Sequence, residues 1–214
     1  MVVLQFRQLI VYPGQRIQLQ DVDWNEFEAI LDELGEKRSS RIAYSDGILE
    51  IRMPLPEHEV DSELISDIVK ILLEELDINN ECFGSTTFKR QDMLKGIEPD
   101  QCFYIKNAAV MIGKRRLDLT TDPPPDLAIE VDVTSKTGLD AYRGLEVSEL
   151  WRFENGKLRI SVLENGEYQD SSSSLHFPDL AIVDLISQFV DRAQSEGRSR
   201  TLKAFRQQVR ELIH

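Results

Sequence analysis

The stretch "PPPDLAIEVDVTSKT", Pro123 to Thr137, carries carboxylates at Asp126, Glu130 and Asp132, interleaved with Leu127, Ile129, Val131 and Val133. Successive side chains on a strand point to opposite faces, so the spacing predicts a strand over 126–134 with one apolar and one acidic face. Pro125 suits a strand's first position. Three carboxylates on one face repel one another unless a cation lies close. A divalent ion with oxygen ligands would supply that charge. A half-exposed strand with solvated carboxylates is the plain alternative. Another acid, Asp100, follows Pro99 at the head of the run "EPDQCFYI". The interval from Asp100 to Glu130 has room for a strand, a loop and a second strand. If those strands pair, the two carboxylates converge on one cation. Pro-Asp by itself is also common turn chemistry.

Several predicted elements would position these groups. "DVDWNEFEAILDELGEK" (21–37) has helical spacing, with Asp21 or Asp23 as cap and Gly35 near the stop. "RIAYSDGILEIRMP" reads as a hairpin turning at Asp46-Gly47. "PEHEVDSELISDIVKILLEELD" is the clearest helix, with Val60, Leu64, Ile68, Ile71, Leu72 and Leu76 as its buried stripe. Its first turn holds Pro56, His58 and Glu59. "ECFGSTTFKR" and "EPDQCFYI" read as strands on either side of the turn "QDMLKG". After 137 come a short helix, then a three-stranded meander turning at Asn155-Gly156 and Asn165-Gly166, then two amphipathic helices near 180–193 and 199–213. This mixture predicts an α+β fold, a mixed β-sheet core flanked by helices, with a β-meander and C-terminal helices. The expected organisation is an N-terminal extension (1–20), one domain (21–190) and a basic amphipathic helix (191–214).

The chain of 214 residues is 41% hydrophobic, which suits a packed core. No apolar run is long enough to span a bilayer. The N-terminus lacks the pattern of a secretory signal, and two separated cysteines suit a reducing compartment, so a cytoplasmic protein is expected. A net charge of −13 opposes binding to nucleic acid over the whole surface. It allows a local basic patch, and it suits a site that concentrates divalent cations. "FKR" and "GKRR" offer Lys89, Arg90, Lys114, Arg115 and Arg116 as phosphate contacts. Solvated loops that balance nearby acids are the alternative reading of those clusters.

Four longer strings, "MPLPEHE" (53–59), "GSTTFKRQDMLKGIEPDQCFYI" (84–105), "DPPPDLAIEVDVTS" (122–135) and "VSELWRFENGKL" (147–158), carry a resemblance. The chain resembles a large family of restriction-endonuclease-like proteins expanded in cyanobacteria, within the PD-(D/E)XK nuclease superfamily. The resemblance implies that Asp100 and Glu130 are metal ligands, joined by the carbonyl of Val131. It implies that Glu59, with His58, lends a carboxylate from the acidic helix. It implies Mg²⁺, with Mn²⁺ as a substitute, DNA as substrate and a homodimer as the acting species. The chain departs from the pattern at Asp132, where the superfamily has lysine. Lys136 is the candidate replacement, Arg143 the second, and Asp132 is alternatively a third metal ligand. Three functions follow: a Mg²⁺-dependent DNA endonuclease, a nuclease-fold binding or regulatory module without chemistry, and an acidic protein-interaction module.

Overall fold

The computed structural model describes residues 6–35, 38–132 and 135–213. Glu36 and Lys37 of the first predicted helix, Val133 and Thr134 of the acidic strand, and His214 lie outside the described residues. In chain order the elements are β1 (Arg16–Leu19), α1 (Trp24–Leu34), β2 (Arg41–Ser45), β3 (Ile48–Arg52), α2 (Pro56–Glu75), β4 (Glu81–Cys82), β5 (Phe88–Arg90), β6 (Lys95–Ile97) and β7 (Gln101–Tyr104). They continue as α3 (Ala108–Met111), β8 (Leu127–Val131), α4 (Lys136–Gly144), β9 (Glu149–Glu154), β10 (Lys157–Glu164), β11 (Glu167–Ser171), α5 (Ile182–Glu196) and α6 (Arg198–Ile213).

The strands form two sheets among the described residues. One has the order β1-β3-β2-β6-β5, the other β11-β10-β9-β8-β7-β4. The β8–β9 pair is parallel and the other pairs are antiparallel, so the second sheet is mixed. Alternation along each strand sorts the core into layers. Ile42, Tyr44, Leu49 and Ile51 pack with Phe27, Ile30 and Leu31 of α1 on the outer face of the first sheet. Ala43 and Ile97 on its inner face share a second cluster with Ala141 and Tyr142 of α4 and with Cys102, Tyr104, Ala128 and Leu150 of the second sheet. Helix α4 is thus the filling between the sheets. The far face of the second sheet, with Leu127, Ile129, Val131 and Trp151, is covered by α2, α5 and α6. Each such buried aliphatic side chain contributes about 1.5–3 kcal/mol.

Local chemistry explains the element ends. Asp23 caps α1 in a reciprocal box with Glu26, and Gly35 ends the helix at a φ of 72°. Asp46 and Gly47 both take positive φ, the requirement of the tight turn predicted between β2 and β3. The meander β9–β10–β11 turns at the two Asn-Gly pairs.

Four details differ from expectation. Val60, one turn before Leu64 on α2, is exposed and lines an open hollow with Val131 and Phe153. "KGI" forms β6, which the expected turn had absorbed, and joins β2 to β5. The expected boundary at residue 190 falls inside α5. The acidic strand stops at Val131, since Asp132 adopts a φ of 54° and breaks the alternation.

Candidate active site

Asp100 lies where the chain leaves β6 of the first sheet for β7 of the second. The β7–β8 register pairs Gln101 with Ile129, and one further step sets Asp100 across from Glu130. Both carboxylates are buried, at 6% and 1% exposure. They meet at one nitrogen. Arg52 Nη2 donates to Asp100 Oδ1 at 2.9 Å and to Glu130 Oε2 at 2.6 Å. Asp100 Oδ2 accepts from the Val131 N–H at 2.8 Å. Glu130 Oε1 accepts from the Tyr142 hydroxyl at 2.5 Å.

Arg52 reaches this point from the inner face of β3, opposite in direction to Leu49 and Ile51. It stands across from Arg41 on β2 and Arg16 on β1, so three arginines form a row across three strands. Like charges on directly opposed positions destabilise a sheet unless acids answer them. Here Arg16 faces Glu50 at 3.9 Å, and Arg41 faces Glu59 at 3.0 Å and Asp100 at 3.6 Å. The carboxylates and the arginine row are mutual counterions.

Burial pushes the Glu130 carboxyl up to about 8, with Arg52 opposing the shift and Asp100 adding to it. Burial also disfavours the Arg52 charge. The Glu130 and Asp100 carboxylates outweigh that and hold its pKa above the ordinary value. Tyr142 is raised well above the ordinary phenol by burial and by Glu130, so it stays a donor. A stability trend follows. In the unfolded chain Glu130 loses its proton near 4.5, whereas folded Glu130 keeps it to about 8. Between those values the folded state binds more protons, so metal-free protein loses stability as pH rises through that window. Glu130→Gln should flatten this slope. Denaturant midpoints across the window, with a chelator present, check it, and an unchanged slope in the variant counts against the burial argument.

The other sequence candidates take definite places. His58 Nε2 lies 2.5 Å from Asp132 Oδ2, and Asp132 is partly exposed beside the carboxylate pair in sequence but turned off its strand. Neighbouring Asp61 is raised by burial, with Asp132 and Glu57 adding to the shift. Glu59 is bound to Arg41. Val131 meets Asp100 with its N–H. Lys136, the first residue of α4, is exposed and makes no hydrogen bond or ion pair among the described residues. Arg143 is held by Glu167 and Asp140. Lys89 is paired with Glu28, Arg90 with Asp92 and Lys114 with Asp122. Arg115 and Arg116 are exposed. Asp126 is a structural group. Its carboxylate accepts from the Ile105 and Asn107 N–H groups and from the Asn107 amide, fixing the loop after β7. Arg52, Arg41 and Tyr142 were not singled out from the sequence. The signal for Tyr142 was faint: a lone hydroxyl on a helix directly after the acidic strand.

Two hard-oxygen carboxylates brought to a single point suit Mg²⁺, which completes its octahedron with water. Among the described residues no third His, Cys, Asp or Glu joins them in a metal-binding group. The point itself is held by the Arg52 guanidinium, so an ion would take the arginine's place between the carboxylates.

A family described as "Putative restriction endonuclease", Uma2, matches residues 24–194. Among solved structures, the chain is similar to "a putative nuclease belonging to DUF820 from Anabaena variabilis ATCC 29413", at 18% identity and a TM-score of 0.47, over 73% of this chain and 85% of that one. No curated protein is matched. The family match spans α1 through most of α5, taking in Arg52, Asp100, Glu130 and Tyr142, and on that match the chain belongs to the Uma2 restriction-endonuclease family.

Proposed function

We propose that this protein is a Mg²⁺-dependent endonuclease that hydrolyses DNA phosphodiester bonds, acting in the cytoplasm as a homodimer with one site per strand of the duplex. The observation that carries the reading is the convergence of Asp100 and Glu130, from paired strands, on one cationic point in a chain of this family. Asp100, Glu130 and the waters between them would hold the ion. Bound Mg²⁺ supplies Lewis-acid polarisation of a phosphoryl oxygen and a water of lowered pKa. The Val131 N–H fixes the Asp100 carboxylate, and the Tyr142 hydroxyl fixes that of Glu130, so neither has to reorient during reaction. Arg52 and Arg41 are the cations nearest the site and can offset charge growing on the phosphate. Lys136 is the alternative for that role.

One observation favours a second reading, a nuclease-fold binding or regulatory module. Arg52 already bridges both carboxylates, and among the described residues no lysine contacts them. Supercoiled plasmid incubated with Mg²⁺ or Mn²⁺ separates the two. Nicked and linear products that disappear with chelator support the endonuclease. Intact plasmid under every metal and salt condition removes it and leaves the binding module.

A further inference from the structure

We propose that the cleft lined by Arg38, Ser40, Arg41, Thr87, Arg115 and Arg116 binds the sugar–phosphate backbone of DNA and leads it to Asp100. The inference rests on the endonuclease reading for the identity of the polyanion. The cleft encloses about 650 Å³. Its walls hold the cations Arg38, Arg41, Lys89, Arg115 and Arg116 against one acid, Glu98, on a chain whose net charge is −13. Such a reversal of local sign focuses field lines and draws an anion to one place.

The cations divide into two kinds. Arg38 is bonded to Glu98, which also accepts from the Thr87 hydroxyl, and Lys89 is bonded to Glu28. These are fixed walls. Arg115 and Arg116, on the loop after α3, are exposed and make no ion pair or hydrogen bond among the described residues. Their guanidinium forks are free to take phosphate oxygens in pairs. Arg38 and Arg41 each keep a buried Nε with no hydrogen-bond acceptor among the described residues. Ser40, Ser85 and Thr86 add hydroxyls along the wall.

The cleft leads to the carboxylate pair through Arg41. That residue lines the cleft and also sits 3.6 Å from Asp100. Past it the row continues as Arg52 and then Arg16, which line a second hollow of about 310 Å³. Neighbouring strands lie roughly 4.8 Å apart, so the row presents three evenly spaced cations beside Asp100 and Glu130. A backbone entering at Arg115 and Arg116 is thereby led past Arg41 to Asp100.

The test measures anisotropy of a short fluorescein-labelled duplex, with chelator present so that binding is read without cleavage. Arg115→Ser with Arg116→Ser should weaken binding on the order of tenfold and lower the slope of log K against log salt by about 1.8, the share of two phosphate contacts. Arg200→Ser with Lys203→Ser, exposed positions on α6, removes the same charge elsewhere and should leave affinity within about twofold. Melting curves confirm that all variants fold. A cleft variant that binds like the wild type overturns the inference while leaving the endonuclease reading intact. Equal losses in both pairs, or a wild type that binds no duplex, also overturn it. Wild-type protein that binds through Arg115 and Arg116 yet cuts nothing keeps this inference and removes the nuclease activity alone.

Discussion

Arg52→Met should lower the stability of the metal-free protein by about 3–5 kcal/mol above about pH 8, where Glu130 is ionised, the usual loss when one partner of a buried ion pair is removed. The reason is local. Methionine fills similar volume, so packing survives, but Asp100 and Glu130 then face each other with no cation between them. Part of the loss should return at lower pH, because Glu130 already tends to keep its proton and a neutral carboxyl can share a hydrogen bond with Asp100. The more telling half of the result is the response to metal. In the wild type an ion would have to compete with the guanidinium for one place. In the variant that place is open, so Mn²⁺ should bind more tightly by calorimetry and raise the melting temperature more than in the wild type. Urea midpoints with chelator and with Mn²⁺ measure both. A variant that loses less than about 1 kcal/mol would mean that the carboxylate pair does not depend on Arg52.

Asp100→Asn should abolish most of any plasmid cleavage while leaving the fold in place. Asparagine keeps an oxygen for the Val131 N–H and a shape that fits between β6 and β7. It removes a negative charge that a divalent ion requires. Loss of groups that merely orient metal ligands slows such sites by about 10–100-fold, so losing a ligand should exceed that range. The initial nicking rate at saturating Mn²⁺ is the measurement, with a denaturant curve as control. Cleavage within about threefold of the wild type would detach the activity from this carboxylate.

The pairing of Asp100 with Glu130 was legible because both features are local. A Pro-Asp start and a period-two strand each show within a few residues, and antiparallel neighbours then bring them together. The hairpin at Asp46-Gly47, the capped α1 and the meander were legible for the same reason: turn and cap chemistry is short-range. Arg52 was not. In "ILEIRMP" it looks like an ordinary polar residue on the open side of a strand, and only the packing of one sheet over another shows that this side is closed. The burial of the acidic face of β8 was hidden in the same way. Sequence alternation left a solvated face open as an alternative, whereas every residue of β8 is buried and α4 covers the Glu130 side. β6 escaped notice because three residues, one of them glycine, carry no periodicity. Asp132 escaped because nothing in Glu-Val-Asp announces a left-handed backbone.

Arg52 comes from the five-stranded sheet, whereas Glu130 lies in the six-stranded sheet and stands 78 positions further along the chain. Contacts of such separation form late, since the closure of a long loop must precede any reward from them. Neither sheet alone contains a finished site. A half-folded chain would expose the carboxylates of one sheet and the arginines of the other as separate charged surfaces, with no combined chemistry. The candidate site therefore doubles as a checkpoint of assembly: any chemistry that needs Arg52, Asp100 and Glu130 together would begin only after the two sheets have closed on α4.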